Sequence, residues 1–158
     1  MYNRPMLILR VLLAILVLPG FAVAQEHVSF PTEDGGIVFA DMYGTGERGV
    51  LLAHGGRFNK ESWGSQAREL AKAGFRVLAI DFRGYGQSRG PQSKSGYDGV
   101  EYDVLAGVRY LHAAGVKTVS VVGASFGGEA AANASIDSEP GEIDRLVLLA
   151  GWTALRKK

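Results

Sequence analysis

Ser125 is the side chain in this sequence best placed for covalent chemistry. It lies within Gly123-Ala124-Ser125-Phe126-Gly127-Gly128, a G-x-S-x-G pattern that directly follows the apolar run Val119–Val122. A strand that turns sharply into a helix at such a motif lifts the hydroxyl clear of the backbone, where it can attack a carbonyl carbon. Gly123, Gly127 and Gly128 suit that elbow, because a Cβ would crowd a tight, strained turn. A helix starting after Ser125 aims its positive end at any oxyanion forming nearby. Two phosphate-binding readings of the same residues fail. A dinucleotide fingerprint needs glycine where Ser125 stands, and a P-loop needs lysine where Glu129 stands. The alternative that stays open is a Gly/Ser turn with a purely structural role.

Two more motifs close apolar runs. His54-Gly55-Gly56 ends Val50–Ala53, and a loop at this place can give an oxyanion hole its second backbone N–H. The expected donors are the amides of Gly56 and Phe126, with Arg57 as a substitute for Gly56. His54 lies at a strand end, so its expected task is ordering this loop rather than serving as a base. Asp81-Phe82-Arg83-Gly84-Tyr85-Gly86-Gln87-Ser88 follows Val77–Ile80; Asp81 and Arg83 are expected to fix that loop by hydrogen bonds. Trp63 and Tyr85 are candidates to line an entrance, with ordinary packing an equal reading.

These motifs need a scaffold, and the apolar pattern supplies one. Val50–Ala53, Val77–Ile80, Val119–Val122 and Leu146–Ala150 are continuous runs, as in strands covered on both faces of a mostly parallel sheet. Between them, Trp63, Ala67, Leu70 and Ala71 share one helical face, and Val100, Val104, Val108 and Leu111 another. Ala130–Ala134 predicts a third, short helix. His27–Phe30 and Ile37–Tyr43 flank a turn at Glu33-Asp34-Gly35-Gly36 and predict an opening hairpin. The order β-β-β-α-β-α-β-α-β points to one α/β domain with a doubly wound sheet, whose ligands gather at the carboxyl ends of the strands.

Composition narrows the partners. The 158 residues carry 17 basic and 16 acidic side chains, a net charge of +1, so no basic excess is available to neutralise nucleic-acid phosphates. With no cysteine, disulfides, thiolate nucleophiles and Cys-type zinc sites are excluded. The three histidines are scattered without metal-ligand spacing, and no metal or cofactor is implied. At the N-terminus, Arg4 and Arg10 precede the apolar Val11–Leu18, then Pro19-Gly20 and the small-x-small Ala22-Val23-Ala24. That pattern predicts a signal peptide over residues 1–24, cleaved near Ala24, and an exported, periplasmic or secreted domain over 25–158. Val11–Leu18 is far shorter than the roughly 20 residues of a membrane span, so no stable span is expected after cleavage.

The His-Gly-Gly, Asp-x-Arg-Gly-x-Gly-x-Ser and Gly-x-Ser-x-Gly segments, in this order and each after a strand, resemble the α/β-hydrolase fold superfamily from about Val28 to Trp152. The resemblance implies a serine esterase, lipase, peptidase or related acyl hydrolase working through an acyl-enzyme on a small-molecule or peptide substrate. Serine at position 125 argues against the dehalogenase and epoxide-hydrolase branches, which place aspartate there, and against the cysteine-using dienelactone branch. The triad of this superfamily runs Ser, then Asp or Glu, then His. Here His27, His54 and His112 all precede Ser125. Glu129, Asp137, Glu139, Glu142 and Asp144 all precede Leu146–Ala150, whereas the family's acid sits on a later strand end. Glu129 reads instead as a carboxylate stabilised near a helix N-terminus, and His112 as a helix-face residue.

The expectation is therefore the N-terminal portion of a serine hydrolase of the α/β-hydrolase type, truncated after about the sixth strand and inactive alone for want of the catalytic acid and histidine. Completing the sheet takes about two more strand-helix units of roughly 30 residues each. Leu146–Ala150 would then be an uncovered apolar edge. The alternative is a non-catalytic binding protein, or a decayed fragment, that retains the fold; a related acyltransferase is a third reading.

Overall fold

The structure is a computed structural model, and it describes residues 24–91 and 98–150. The predicted leader lies outside the described residues except for Ala24, as does Trp152. The chain opens with a hairpin of β1 (Gln25–Pro31) and β2 (Ile37–Tyr43). β3 (Arg48–Ala53) leads through a 3-10 turn, Lys60–Trp63, into α1 (Gly64–Lys72) and then β4 (Phe75–Ile80). Next come α2 (Val100–Ala113), β5 (Thr118–Ala124), α3 (Phe126–Asp137) and β6 (Arg145–Leu149). The single described sheet has the order β1-β2-β4-β3-β5-β6. β3, β4, β5 and β6 run parallel, while β2 is antiparallel to both β1 and β4.

The continuous apolar runs are explained by helices on both faces. Leu51, Ala53, Leu78 and Ile80 face a core shared with Val104, Val108 and Leu111 of α2 and Ala130, Ala131 and Ala134 of α3. Val50, Leu52, Val77 and Ala79 point the other way, onto Ala67 of α1, with Trp63, Leu70 and Ala71 packed beside them. Successive strand residues point to opposite faces, so a strand buried on both must be apolar throughout. The third helix is longer than the alanine run predicts, because Phe126 and Gly127 already lie in it.

The outer strands depart from the expectation of full cover. β5 alternates buried and half-buried residues, and β6 leaves Val147, Leu148 and Leu149 exposed by 43%, 38% and 44%. The reason is position: among the described residues, β6 is the last strand in the order and has a neighbour on one side only.

The topology decides where the site lies. After β3 the chain moves to β4 on one side, then crosses back to β5 on the other. That reversal opens a crevice at the carboxyl ends of the strands. Register completes the placement, because Ala53 pairs with Ile80 on one side and with Gly123 on the other. The three motifs therefore leave the sheet side by side.

Candidate active site

Ser125 stands exposed at the turn from β5 into α3, with φ 51° and ψ −115°. Apart from Ala150, it is the only described non-glycine residue with positive φ. Such a backbone costs on the order of 1–3 kcal/mol and persists only where the surroundings enforce it. Here they do. The Ser125 N–H donates to Leu149 O at 2.8 Å, tying the turn to β6, and the Ser125 carbonyl accepts from Gly128 N–H at 2.9 Å and Glu129 N–H at 3.2 Å. A Cβ on Gly123 would overlap the Gly127 carbonyl oxygen, and one on Gly127 would overlap the carbonyl oxygens of Ala53 and His54. The first turn of α3, where Gly128 is also buried, is thus wedged against the end of β3.

The loop after β3 runs beside this turn. A Cβ built on Gly56 would stand 3.6 Å from the Cβ of Phe126, so the two residues expected to supply the amide donors are close neighbours. Arg57 follows on the same exposed stretch. Three ties hold the loop: Phe58 N–H to Gly55 O at 2.9 Å, Tyr85 hydroxyl to Gly56 O at 2.6 Å, and Lys60 N–H to Asp81 Oδ1 at 2.8 Å.

His54 is completely buried and braces the loop. Its Nδ1 lies 2.9 Å from Gly55 O, and its Nε2 accepts the Phe82 N–H at 3.3 Å. That pair of contacts selects the neutral Nδ1–H tautomer. Burial agrees with it, holding the imidazole pKa below its ordinary value of 6.5. Both ring nitrogens are engaged, so the ring orders the β3 and β4 ends, as its strand-end place suggested.

The other sequence candidates find partners far away in the chain. Arg83 is buried between two carboxylates, 2.8 Å from Asp103 Oδ1 and 2.6 Å from Asp34 Oδ2. Its guanidinium holds the Asp34 carboxyl below its ordinary pKa. Asp81, 1% exposed, also faces the Lys60 ammonium at 3.4 Å. His27 pairs with Asp41 at 2.6 Å, and His112 lies 3.0 Å from Val116 O and 2.9 Å from Glu142 O. Glu129 sits in the first turn of α3, and Trp63 packs under the α1 face of the sheet.

No histidine or carboxylate among the described residues hydrogen-bonds the Ser125 hydroxyl. Nor does any group of three or more His, Asp or Glu among them form a metal site. No described helix is long and apolar enough to cross a membrane. A cavity of about 500 Å³ lies to one side, lined by His27, Ser29, Lys60, Asp81 and Gln87, and it does not include Ser125. Sequence reasoning missed Lys60, Asp34 and Asp103. A lone lysine or aspartate carries no spacing signal when its partner is twenty or more residues away.

The family whose model matches residues 49–158 is described as alpha/beta hydrolase fold. The chain belongs to that family. The AB hydrolase superfamily protein YisY of Bacillus subtilis (strain 168) is 34% identical over 118 residues, which are 75% of this chain and 42% of that protein. A 2-hydroxy-6-oxononadienedioate/2-hydroxy-6-oxononatrienedioate hydrolase of Burkholderia vietnamiensis is 33% identical over 113 residues, 70% of this chain and 38% of its own length. Among solved structures, an epoxide hydrolase from an endophytic Streptomyces superposes with a TM-score of 0.67 at 36% identity, covering 78% of this chain and 36% of that one. This α/β-hydrolase chain spans about two fifths of the length of the curated relatives it matches. The matched portion contains all three strand-end motifs.

Proposed function

We propose that Ser125 is the nucleophile of a hydrolase that cleaves an ester, or an amide or peptide bond, through an acyl-enzyme. The observation that carries this reading is the enforced φ 51°, ψ −115° backbone of an exposed serine at a strand-to-helix turn. In the proposed reaction Ser125 Oγ attacks the acyl carbon, and the carbonyl π electrons move onto oxygen. The N–H groups of Gly56 and Phe126 receive that oxyanion, the alcohol or amine departs with a proton, and water then releases the acid. The positive end of α3 favours the same charge. The histidine base and its acid are proposed to come from outside residues 1–158, because His27, His54 and His112 are all engaged elsewhere. A hydroxyl nucleophile supports acyl chemistry over epoxide opening, although an epoxide hydrolase is among the similar structures. The substrate is a small-molecule or peptide acyl compound, no cofactor takes part, and the chain is exported with its signal peptide cleaved near Ala24.

The test uses the gene product read through past Lys158. A fluorophosphonate probe should label Ser125, and Ser125→Ala should abolish both labelling and p-nitrophenyl ester hydrolysis; activity that survives the substitution refutes the assignment. N-terminal sequencing of the exported protein should begin at Gln25. The second reading, a non-catalytic binding module, is favoured by the absence of a base against Ser125 among the described residues. A reading frame beyond Lys158 that encodes a strand ending in Asp or Glu, then a late His, supports the enzyme. A stop codon there supports the module.

A further inference from the structure

Phe58 is the most exposed large apolar side chain among the described residues, at 61%. A lone apolar residue on a surface is ordinary, but the place of this one is not. Its N–H donates to Gly55 O at 2.9 Å, closing a four-residue turn through Gly56 and Arg57. A Cβ built on Gly55 would stand 3.3 Å from Phe58 Cδ2 and 3.5 Å from the Ala124 carbonyl oxygen. The ring and the peptide that leads into Ser125 therefore flank the same bare glycine. Phe126 sits against the next glycine, its Cγ 3.8 Å from a Cβ built on Gly56. That second ring is committed to the core, where it packs edge-on against Phe82 with centroids 5.1 Å apart. Phe58 belongs to neither apolar cluster of the core. Its ring stands in solvent next to an exposed serine on an enforced elbow.

We propose that Phe58 is a specificity-determining residue: its ring is an apolar wall beside Ser125 that takes the hydrocarbon part of an ester substrate. That part is either the acyl chain or the alcohol group. The assignment deepens the serine-hydrolase reading above and rests on it. Ligand sites combine apolar and aromatic walls with a few placed polar groups. Here Ser125 and the proposed amide donors are the polar groups, and Phe58 supplies the wall. Contact with a hydrocarbon chain takes both surfaces out of water, so every methylene within reach of the ring favours the larger ester. The contact forms on binding and persists in the transition state. It therefore appears in kcat/KM, the quantity by which an enzyme discriminates between substrates.

The experiment compares Phe58→Ala with wild type in the gene product read through past Lys158, using two pairs of esters. p-Nitrophenyl octanoate and acetate vary the acyl chain; benzyl and ethyl acetate vary the alcohol. The larger-to-smaller ratio of kcat/KM should fall roughly tenfold in one pair, and the pair that responds names the part of the ester the ring holds. Such a ratio cancels the amount of folded enzyme, so lost stability cannot imitate the result. Phe58→Leu stays apolar and should keep most of the preference. Phe58→Gln, polar and of similar size, should lose it as Phe58→Ala does. Ratios within about twofold of wild type in both pairs overturn the assignment. A loss as large in Phe58→Leu as in Phe58→Gln also overturns it, since an apolar contact survives the first. So does a wild type that accepts p-nitrophenyl acetate but neither octanoate nor benzyl ester. Ser125→Ala run in parallel separates the two readings. Activity that survives it, or an inert wild type, removes the hydrolase reading and this one together. If Ser125→Ala abolishes turnover while no ratio moves in the Phe58 variants, only the Phe58 assignment falls.

Discussion

Ser125 pays for its exposure with backbone strain. A β-carbon at φ 51°, ψ −115° is a conformation that glycine adopts without penalty. Ser125→Gly should therefore stabilise the fold by about 1 kcal/mol in urea unfolding while removing all nucleophile-dependent activity. The wedge beside it behaves oppositely. A methyl group on Gly127 would run into the Ala53 and His54 carbonyls, which belong to the central strand and the braced loop and cannot move aside cheaply. Gly127→Ala should cost about 3 kcal/mol or prevent folding, read from the same unfolding curves. A strained residue that gains stability when relaxed, beside glycines that tolerate no addition, is the energetic pattern of a site built for chemistry.

At the scale of elements, two buried polar braces connect strands to loops. The His54 brace joins β3 to β4 and needs a neutral ring, because a proton on Nε2 would face the Phe82 N–H. Its folded pKa is lowered by burial, below the ordinary 6.5. The unfolded chain thus takes up the proton first as pH falls. The stabilisation from His54 is complete above pH 6.5 and is lost as pH drops through the folded pKa. Urea midpoints measured below pH 6.5 should therefore fall less steeply with acid in His54→Asn than in wild type. The Arg83 brace joins the β1–β2 turn at Asp34 to α2 at Asp103. Arg83→Ala strands Asp103, which is fully buried, and should cost about 3–5 kcal/mol by chemical denaturation.

For the described residues as a whole, the decisive feature is the side of β6 that faces away from β5. Val147, Leu148 and Leu149 are exposed on a strand that has one sheet neighbour among the described residues. An apolar edge with unpaired backbone groups is a template for another strand. The 158-residue chain alone should self-associate in sedimentation velocity, and Val147→Lys should reduce that association without lowering the unfolding midpoint by more than about 0.5 kcal/mol. The sequence made much of this fold legible. β3 and β4 were readable because burial on both faces forces an unbroken apolar run, and the hairpin because of its turn residues. β6 was readable as a strand, but its exposure was not, since a run such as Leu146–Ala150 looks the same at a sheet's edge as at its centre.

What the sequence determined by itself was the set of parts: a serine between spaced glycines, three motifs that each close an apolar run, and a family membership that those motifs carry. These are local properties, set by residue type and spacing along the chain. Tertiary structure alone decided which parts meet. The register of Ala53 with both Ile80 and Gly123 brings the three loops together. Tyr85 then reaches the Gly56 carbonyl across 29 residues of sequence, and Arg83 reaches Asp34 across 49. A hydrogen bond between distant residues leaves no periodic trace in either segment, because its geometry exists only after the sheet has formed.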